Sequence, residues 1–208
     1  ETVKIEDGEV LLGIIGDEEP IGICGSGLID SISELLRVGL INNKGRLLSR
    51  DEALQQGFLQ GLAERLIETD QGKAFILAVK QDGNHVLLTQ KDIREMQLAK
   101  GAIYAGIQIM LKMMDAEIRD IDKVSIAGAF GSYINKESAV RIGLFPAVDP
   151  EKIVSAGNLA GMGSSMCLLS KEERRMAGER IKSIQHVELA LHPDFQRVYM
   201  KSTAVQGI

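Results

Sequence analysis

Residues 124–132 have the sequence VSIAGAFGS, in which a small apolar run leads into a turn with two glycines. The run VSIA predicts a short buried strand, and a helix is expected from residue 136 to residue 142. Glycine tolerates positive φ and lets backbone amides approach a ligand closely. The stretch therefore predicts a strand, a glycine turn and a helix in direct succession.

The same unit occurs twice more in the chain. Residues 21–30, IGICGSGLID, lead into apolar positions that recur at helical spacing as far as Leu40. Residues 151–155 predict another strand, which is followed by the glycine-rich segment 157–163 and a helix to residue 169. Three such units favour an α/β fold.

Each glycine turn has two interpretations. The N-terminus of a helix carries unpaired amides and about half a positive charge, so such a turn can bind an anion. Alternatively, glycine only permits a sharp reversal and close packing of a helix on a sheet. The spacing of Gly22, Gly25 and Gly27 does not match a dinucleotide fingerprint, and no Gly-Lys-Ser/Thr sequence marks a P-loop.

The rest of the chain predicts further helices and strands. Asp7-Gly8 and Asp82-Gly83 suit tight hairpin turns, and Thr89 with Asp92 resembles a capping box at the start of the longest helix. Methionines at helical spacing on that helix are interpreted as core filler. The further predictions are a hairpin over 3–14, a helix over 58–67, a hairpin over 74–88, a charged helix from 171, a strand over 187–191, a helix that begins near 192–194 and a frayed end over 201–208.

The composition excludes several classes of function. The chain has 24 Lys and Arg residues against 29 Asp and Glu residues and no basic run, so nucleic-acid binding is not expected. No apolar stretch approaches the roughly 18 to 20 residues that cross a bilayer, so we expect no membrane span and a cytoplasmic location. Cys24 and Cys167 are far apart and the three histidines are scattered, so no metal site is predicted.

Two further candidates for chemistry lie in the first unit. Cys24 could be a nucleophile, since a helix start lowers a thiol pKa, but no histidine is implied nearby and a small buried hydrophobe is the favoured interpretation. Asp30 and Glu34 lie one helical turn apart and could form a catalytic carboxylate pair. We interpret them instead as part of a solvated helix face.

Four blocks of the sequence together resemble one family. They are GICGSGLIDSISELLRVGLI (22–41), TQKDIREMQLAKGAIYAGI (89–107), AGAFGSYINKESAVRIGLFP (127–146) and DPEKIVSAGNLAGMGS (149–164). The chain looks like the C-terminal ASKHA-type domain of the reductive activators of corrinoid proteins, also described as corrinoid methyltransferase activating proteins. These are similar in fold to the actin, Hsc70 and sugar kinase superfamily.

The resemblance implies an architecture. Residues 1–208 would form a ribonuclease H-like, actin-type α/β lobe, a mixed sheet with helices on both faces. The lobe would be the C-terminal part of an ATPase domain and a fragment of a longer protein, with residues 42–88 as a peripheral insertion. The superfamily's two phosphate-binding hairpins of Asp-x-Gly-Thr type, and the clustered cysteines of the family's iron-sulfur domain, have no counterpart in this sequence.

The resemblance also implies a function. The full-length protein would use ATP with Mg²⁺, and electrons from an iron-sulfur cluster in a domain outside this chain, to return an inactive cob(II)alamin-type corrinoid protein to the cob(I) state. The corrinoid protein of a methyltransferase system is the expected partner, and a homodimer is compatible with this interpretation. The lobe would supply the adenosine half of the nucleotide site through backbone amides, without a general base and without a metal ligand. The implied binding residues are Gly128, Ala129, Phe130, Gly131 and Ser132, with Gly25, Ser26 and Gly27 as further candidates.

A second hypothesis assigns the lobe no catalytic role. The glycine turns would then be structural, and the lobe would serve for docking or dimerisation. An exposed apolar patch on the face of residues 110–114 would favour this hypothesis, whereas a cleft lined by the three glycine turns would favour ATP binding.

Overall fold

A computed structural model describes residues 1–128, 131 and 133–205. The chain begins with the predicted hairpin, whose strands β1 (Thr2–Glu6) and β2 (Glu9–Gly13) pair antiparallel. Asp7 and Gly8 both have positive φ, 49° and 81°, as the tight turn requires. The prediction of a hairpin about Asp7-Gly8 is confirmed.

Helix α1 (Gly25–Val38) follows the first glycine turn and ends at Gly39, which takes the left-handed conformation. Its apolar side chains Ile29, Ile32 and Leu35 are buried against the hairpin. The helix thereby packs against β1, and the buried side chains of the two elements belong to the hydrophobic core.

Residues 50–89 form two short helices and a three-stranded antiparallel sheet. The helices are α2 (Arg50–Gln55) and α3 (Gln60–Ala63), and the sheet has the order β3 (Leu66–Thr69), β4 (Gly72–Val79), β5 (His85–Thr89). The hairpin about Asp82-Gly83 is confirmed. The prediction of a helix over 58–67 is wrong beyond Ala63, because Leu66 is buried and starts a strand that pairs with β4.

Residues 42–88 contribute to the same core as α1. Leu47, Phe75 and Leu88 are fully buried within it. The segment is therefore packed against the body of the domain, and its origin as an insertion stays a prediction.

The longest helix, α4 (Gln90–Met113), starts at the predicted capping box, in which Thr89 and Asp92 cap each other's backbone amides. Met96 packs partly buried against the core, as expected. Met110, Met113 and Met114 do not, since their exposed fractions are 46%, 54% and 75%. The interpretation of the methionines as core filler is wrong for this end of the helix, where the described residues provide no covering element.

The second and third glycine units share one parallel sheet. Strands β6 (Val124–Ala127) and β7 (Ile153–Gly157) pair parallel, and each is followed by a helix, α5 (Lys136–Arg141) and α6 (Leu159–Leu169). The predicted order of strand, turn and helix is confirmed. The predicted burial of β6 is wrong, because its residues are only half-buried or exposed.

The C-terminal part is helical and more ordered than the sequence suggests. The charged helix α7 (Lys171–Ile181) and the last helix α8 (Phe195–Ser202) are confirmed, whereas the strand over 187–191 is wrong and a short 3-10 turn at Leu189–Leu191 takes its place. The end does not fray before residue 205, because the Val205 N–H donates to the Asn43 carbonyl at 3.0 Å and its side chain is 2% exposed. Residues 206–208 lie outside the described part.

The whole is an α/β domain, as predicted. Its described strands are divided among three small sheets, β1–β2, β3–β4–β5 and β6–β7, rather than joined in the single mixed sheet that the sequence suggested. Among the described residues, no helix combines the length and the apolar character that a bilayer crossing requires.

Lys100 on α4 provides a test of the packing between α4 and the C-terminal segment. Its side chain is 2% exposed, its ammonium donates to the Ala204 carbonyl, and burial lowers its pKa to about 8. Between about pH 8 and 10.5 the unfolded chain therefore binds a proton that the folded chain has lost, and stability rises with pH. We expect the free energy of unfolding of the wild type, relative to Lys100→Met, to rise through this window by up to about 1.4 kcal/mol per pH unit.

Urea unfolding at a series of pH values measures this difference, with Lys91→Met on the exposed face of the same helix as the control. Parallel pH curves for the wild type and Lys100→Met would show that Lys100 keeps its charge in the folded protein.

Candidate functional site

The second and third glycine turns meet at the carboxyl ends of β6 and β7. The Gly128 N–H donates to the Gly157 carbonyl at 2.8 Å, and the two glycines have φ values of 93° and 63°. Among the described residues, and apart from the chain neighbours, no heavy atom would lie within 4 Å of a β-carbon built on either glycine. The bare backbone of this pair therefore faces open space, which is the position where a parallel sheet presents amides to a ligand.

At position 131, glycine is required by close packing. A β-carbon there would lie 2.5 Å from Ile126 Cγ2 and 2.9 Å from the Ile126 carbonyl oxygen, so the turn folds back closely over the end of β6. The Gly131 N–H donates to the Gly128 carbonyl at 3.2 Å and closes the turn. Ala129, Phe130 and Ser132, which the sequence also proposes for this site, lie outside the described residues.

The first glycine turn is used for packing. The Ser26 hydroxyl donates to the Glu1 carbonyl at 3.0 Å, and a β-carbon on Gly27 would lie 3.2 Å from the same oxygen. Gly25 is the first residue of α1. Ser26 and Gly27 thus contact the residue that precedes β1, and no contact recorded among the described residues joins Gly25, Ser26 or Gly27 to Gly128 or Gly131.

Cys24 precedes α1 and lines a cavity of about 490 Å³ whose walls are mostly apolar. Burial alone would raise the pKa of Cys24, but hydrogen bonds with Ser26 and the Gly27 N–H outweigh it and lower the pKa. In the described part of the chain, the recorded side-chain partners are the Ser26 hydroxyl at 3.2 Å and the Glu1 carbonyl at 4.0 Å. Neither can act as a general base, so the geometry gives no support to a cysteine hydrolase.

Asp30 and Glu34 form a polar cluster that the sequence analysis assigned wrongly to a solvated face. Their exposed fractions are 4% and 7%. Both line a cavity of about 790 Å³ between β1, α1 and α5. They are buried because the polar stripe of α1 faces β1 and α5 instead of water.

Glu34 holds these three elements together. Its carboxylate accepts from the Ile5 N–H at 2.9 Å and from Arg37 Nη2 at 2.7 Å, and it lies 3.5 Å from Arg141 Nη1. Arg141 also donates to the Ser33 hydroxyl at 2.7 Å. Burial alone would raise the pKa of Glu34, but the hydrogen bonds with Arg37 and the Ile5 N–H and the charges of the two guanidinium groups lower it.

The contacts of Asp30 do not offset the cost of burying its carboxyl group. Burial raises its pKa despite hydrogen bonds with Ser138 and the Val3 N–H, and Glu34 raises it further. Its Oδ1 atom is buried without a hydrogen-bond partner among the described residues. A buried carboxylate oxygen without a donor is costly, so the neutral acid or an external donor is favoured here.

The sequence contains a signal for this cluster. Ser26, Asp30 and Glu34 recur at every fourth position of α1 and therefore form a polar stripe beside the apolar one. The spacing alone does not say whether water or a strand faces the stripe, which is why the exposed interpretation was chosen.

Comparison with known proteins identifies the domain. The family model described as the C-terminal domain of RACo, the ASKHA domain, matches residues 1–207. The chain belongs to this family.

Individual relatives support the assignment of this chain to the RACo C-terminal domain family. The chain is 36% identical to the corrinoid activation enzyme RamQ of Eubacterium limosum, over 98% of this chain and 34% of that protein. It is 26% identical to a Co(II) methylated amine-specific corrinoid protein reductase of Methanosarcina barkeri, over 88% of this chain and 29% of that protein. The solved structure of a reductive activator for a corrinoid, iron-sulfur protein superimposes with a TM-score of 0.85 at 32% identity, over 98% of this chain and 32% of that chain.

The chain spans about a third of the length of these relatives. The family membership and the ASKHA-type α/β fold predicted from the four sequence blocks are both confirmed. The assignment of individual residues to a nucleotide site stays a prediction.

Within this ASKHA domain, Gly131 and Gly163 form a matched pair of glycines for substitution. Gly131→Ala places a methyl group against the Ile126 backbone, and we expect a loss of about 1 to 3 kcal/mol in the free energy of unfolding. Gly163 lies inside α6, and outside that helix no described atom comes within 4 Å of an added β-carbon, so Gly163→Ala should gain about 0.5 to 1 kcal/mol in the free energy of unfolding. Thermal and urea unfolding measure the change in the free energy of unfolding of each variant. Equal changes for the two substitutions would contradict the close approach of Gly131 to Ile126.

The raised pKa of Asp30 predicts a pH dependence. The folded chain keeps the Asp30 proton above pH 3.8, where the unfolded chain has lost it, so this stabilisation is complete below that pH and is lost as pH rises through the folded pKa. The stability of the wild type relative to Asp30→Asn should therefore fall with rising pH in mildly acidic solution, by at most about 1.4 kcal/mol per unit. Urea unfolding from pH 4 upward tests this, with the exposed Asp122→Asn as the control. A difference between wild type and Asp30→Asn that rises with pH would contradict a buried acid.

Proposed function

We propose that this chain is the C-terminal lobe of the ATPase domain in a longer reductive activator. The longer protein would return an inactive cob(II)alamin-type corrinoid protein to cob(I). The observation that carries this proposal is the match of residues 1–207 to the RACo C-terminal domain, supported by relatives whose names describe corrinoid activation and corrinoid protein reduction.

The lobe would supply the adenosine half of the nucleotide site at the turn after β6. Gly128 and Gly157 fit this role, because their adjacent backbones leave room where side chains would otherwise stand. Gly131 would contribute indirectly, since its close approach to Ile126 fixes the turn. We include Ala129, Phe130 and Ser132 in the site on the basis of the sequence resemblance alone.

Only the adenosine end fits the described residues. The phosphate-binding hairpins expected of an ATPase of this superfamily are absent from the sequence, so Mg²⁺ and the phosphates would be held by parts of the protein outside this chain. When bound, ATP supplies the free energy that makes an unfavourable electron transfer proceed. The residues of this lobe would bind and orient the adenosine, and we assign none of them a role as general acid or base.

The electron would come from outside this chain. Reduction of cob(II) to cob(I) consumes one electron, and the two cysteines, Cys24 and Cys167, are too few for a cluster with four cysteine ligands. Among the described residues, no group of His, Cys, Asp and Glu could hold a metal ion. We therefore place the iron-sulfur cluster in another domain and the corrinoid on a partner protein.

A second candidate function is docking or dimerisation. Helix α6 has no buried residue, and its exposed apolar side chains Leu159, Met162, Met166 and Leu169 recur at spacings of three and four. Such a stripe is typical of a helix that packs on another surface. The exposed Met110, Met113 and Met114 on α4 favour the same candidate.

Nucleotide titration separates the two candidates. Asn is among the non-glycine residues that most often take positive φ, so Gly128→Asn places a side chain beside the glycine pair with a backbone strain that the control variant shares. We expect this variant to weaken ATP and ADP binding at least about tenfold, or about 1.4 kcal/mol, by calorimetry. Gly83→Asn is the matched control, because Gly83 also has positive φ and open space but lies in the β4–β5 turn.

The same pair of variants in the longer protein tests the activity. Absorbance spectroscopy follows the conversion of cob(II) to cob(I) on the corrinoid partner with and without ATP. Loss of ATP-dependent reduction in Gly128→Asn but not in Gly83→Asn would support the adenosine site. Equal nucleotide binding by the wild type and both variants would overturn it and leave the docking function as the better account.

A further inference from the structure

One buried carboxyl group in the cavity between β1, α1 and α5 has an incomplete set of hydrogen bonds. Asp30 lines this cavity of about 790 Å³ and is only 4% exposed. It contacts Ser138 and the Val3 N–H, yet its Oδ1 atom has no hydrogen-bond partner in the part of the chain that the structure describes. A buried carboxylate oxygen is costly unless a donor or a positive charge faces it. The cavity therefore has a place for a donor that comes from a ligand.

The basic side chains of the cavity already have acidic partners. Arg37 and Arg141 lie 2.7 Å and 3.5 Å from Glu34, and Lys4 lies 2.5 Å from Glu6. All five of these residues line the cavity. Because opposite charges at such distances largely cancel each other's field, the three basic groups repel a positive ligand only weakly.

The acidic side chains of the cavity are in excess. Five carboxyl groups and three basic groups are recorded in its lining. Asp7 and Glu137 are exposed, and the ion pairs recorded for residues 1–128, 131 and 133–205 include neither of them. An excess of carboxylates attracts a positively charged molecule.

The size and the donor set of the cavity favour an organic cation over a metal ion. A volume of about 790 Å³ is typical of pockets for small molecules, which measure roughly 300 to 1,000 Å³. No group of three His, Cys, Asp or Glu residues within the described ranges could hold a metal ion. A primary ammonium group brings three N–H donors together with its charge, so it can satisfy the orphaned oxygen and the charge of Asp30 at once.

We propose that this cavity binds a small organic cation, whose primary ammonium group donates to the Asp30 carboxylate. The site is separate from the nucleotide turn, because neither Gly128 nor Gly157 is among its lining residues. The proposal therefore does not depend on the proposed function. A bound cation would contact β1, α1 and α5 together, and it would stabilise the packing of these three elements.

Calorimetric titration of the full-length protein with n-butylammonium chloride tests this site. The neutral probe is 1-butanol, which has nearly the same shape but no charge, and we expect butylammonium to bind at least about ten times as tightly. Asp30→Asn keeps the size of the side chain but cannot carry a negative charge, so it should weaken butylammonium binding at least about tenfold. Glu137→Gln is the matched control. It removes an exposed charge from the same cavity, and since exposed charges are screened by salt, we expect a change of less than about threefold.

The same titrations include the results that would overturn the proposal. Equal affinity of the wild type for butylammonium and for 1-butanol would do so, and this comparison holds even if Asp30→Asn does not fold. Equal weakening by Asp30→Asn and by Glu137→Gln would show that the acidic surface as a whole attracts the probe, without a contact to Asp30. Displacement of butylammonium by an equal concentration of potassium chloride would identify an inorganic cation as the occupant and would also overturn the proposal.

Discussion

The match between the rise of α1 and the rise of β1 organises this domain. Four residues of a helix advance about 6.0 Å, and two residues of a strand advance about 6.6 to 6.8 Å. Every fourth side chain of α1 can therefore reach every second residue of β1. Ser26 bonds to Glu1 and Glu34 to Ile5, and between them the Val3 N–H lies close enough to Asp30 to lower the pKa of its carboxyl group. The polar stripe fixes the register of helix on strand, while the adjacent apolar stripe supplies the hydrophobic contact.

This register also reaches the second glycine unit. Arg141 on α5 bonds to Ser33 and lies within ion-pair distance of Glu34, so the helix that follows the 128–132 turn is anchored to α1. The guanidinium group is partly exposed, so its own contribution to stability is modest. Arg141 is the last residue of α5, so its contacts hold the C-terminal end of α5 beside α1.

The sequence predicts the local elements well because their causes are local. The hairpin at Asp7-Gly8, the capping box at Thr89 and the units around Gly128 and Gly157 depend on neighbouring residues. Prediction from the sequence fails where residues distant along the chain determine whether a side chain is buried. Asp30 and Glu34 are buried because β1 faces them, and Val205 is buried because Asn43 accepts its N–H. The family was predictable from four blocks, but which glycine faces open space was not.

The three glycine units resemble one another in sequence yet use glycine in different ways. Close packing favours glycine at position 27, where the Glu1 carbonyl oxygen would lie 3.2 Å from a β-carbon. It favours glycine at position 131 more strongly, since Ile126 Cγ2 would lie 2.5 Å from a β-carbon there. Gly128 and Gly157 instead have positive φ, and packing against the described residues does not explain their lack of a side chain. Positive φ alone would favour glycine there, but the hydrogen bond between the two places both open backbones side by side. A ligand surface is therefore to be sought at this pair, and the first unit is better understood as the part that joins α1 to β1.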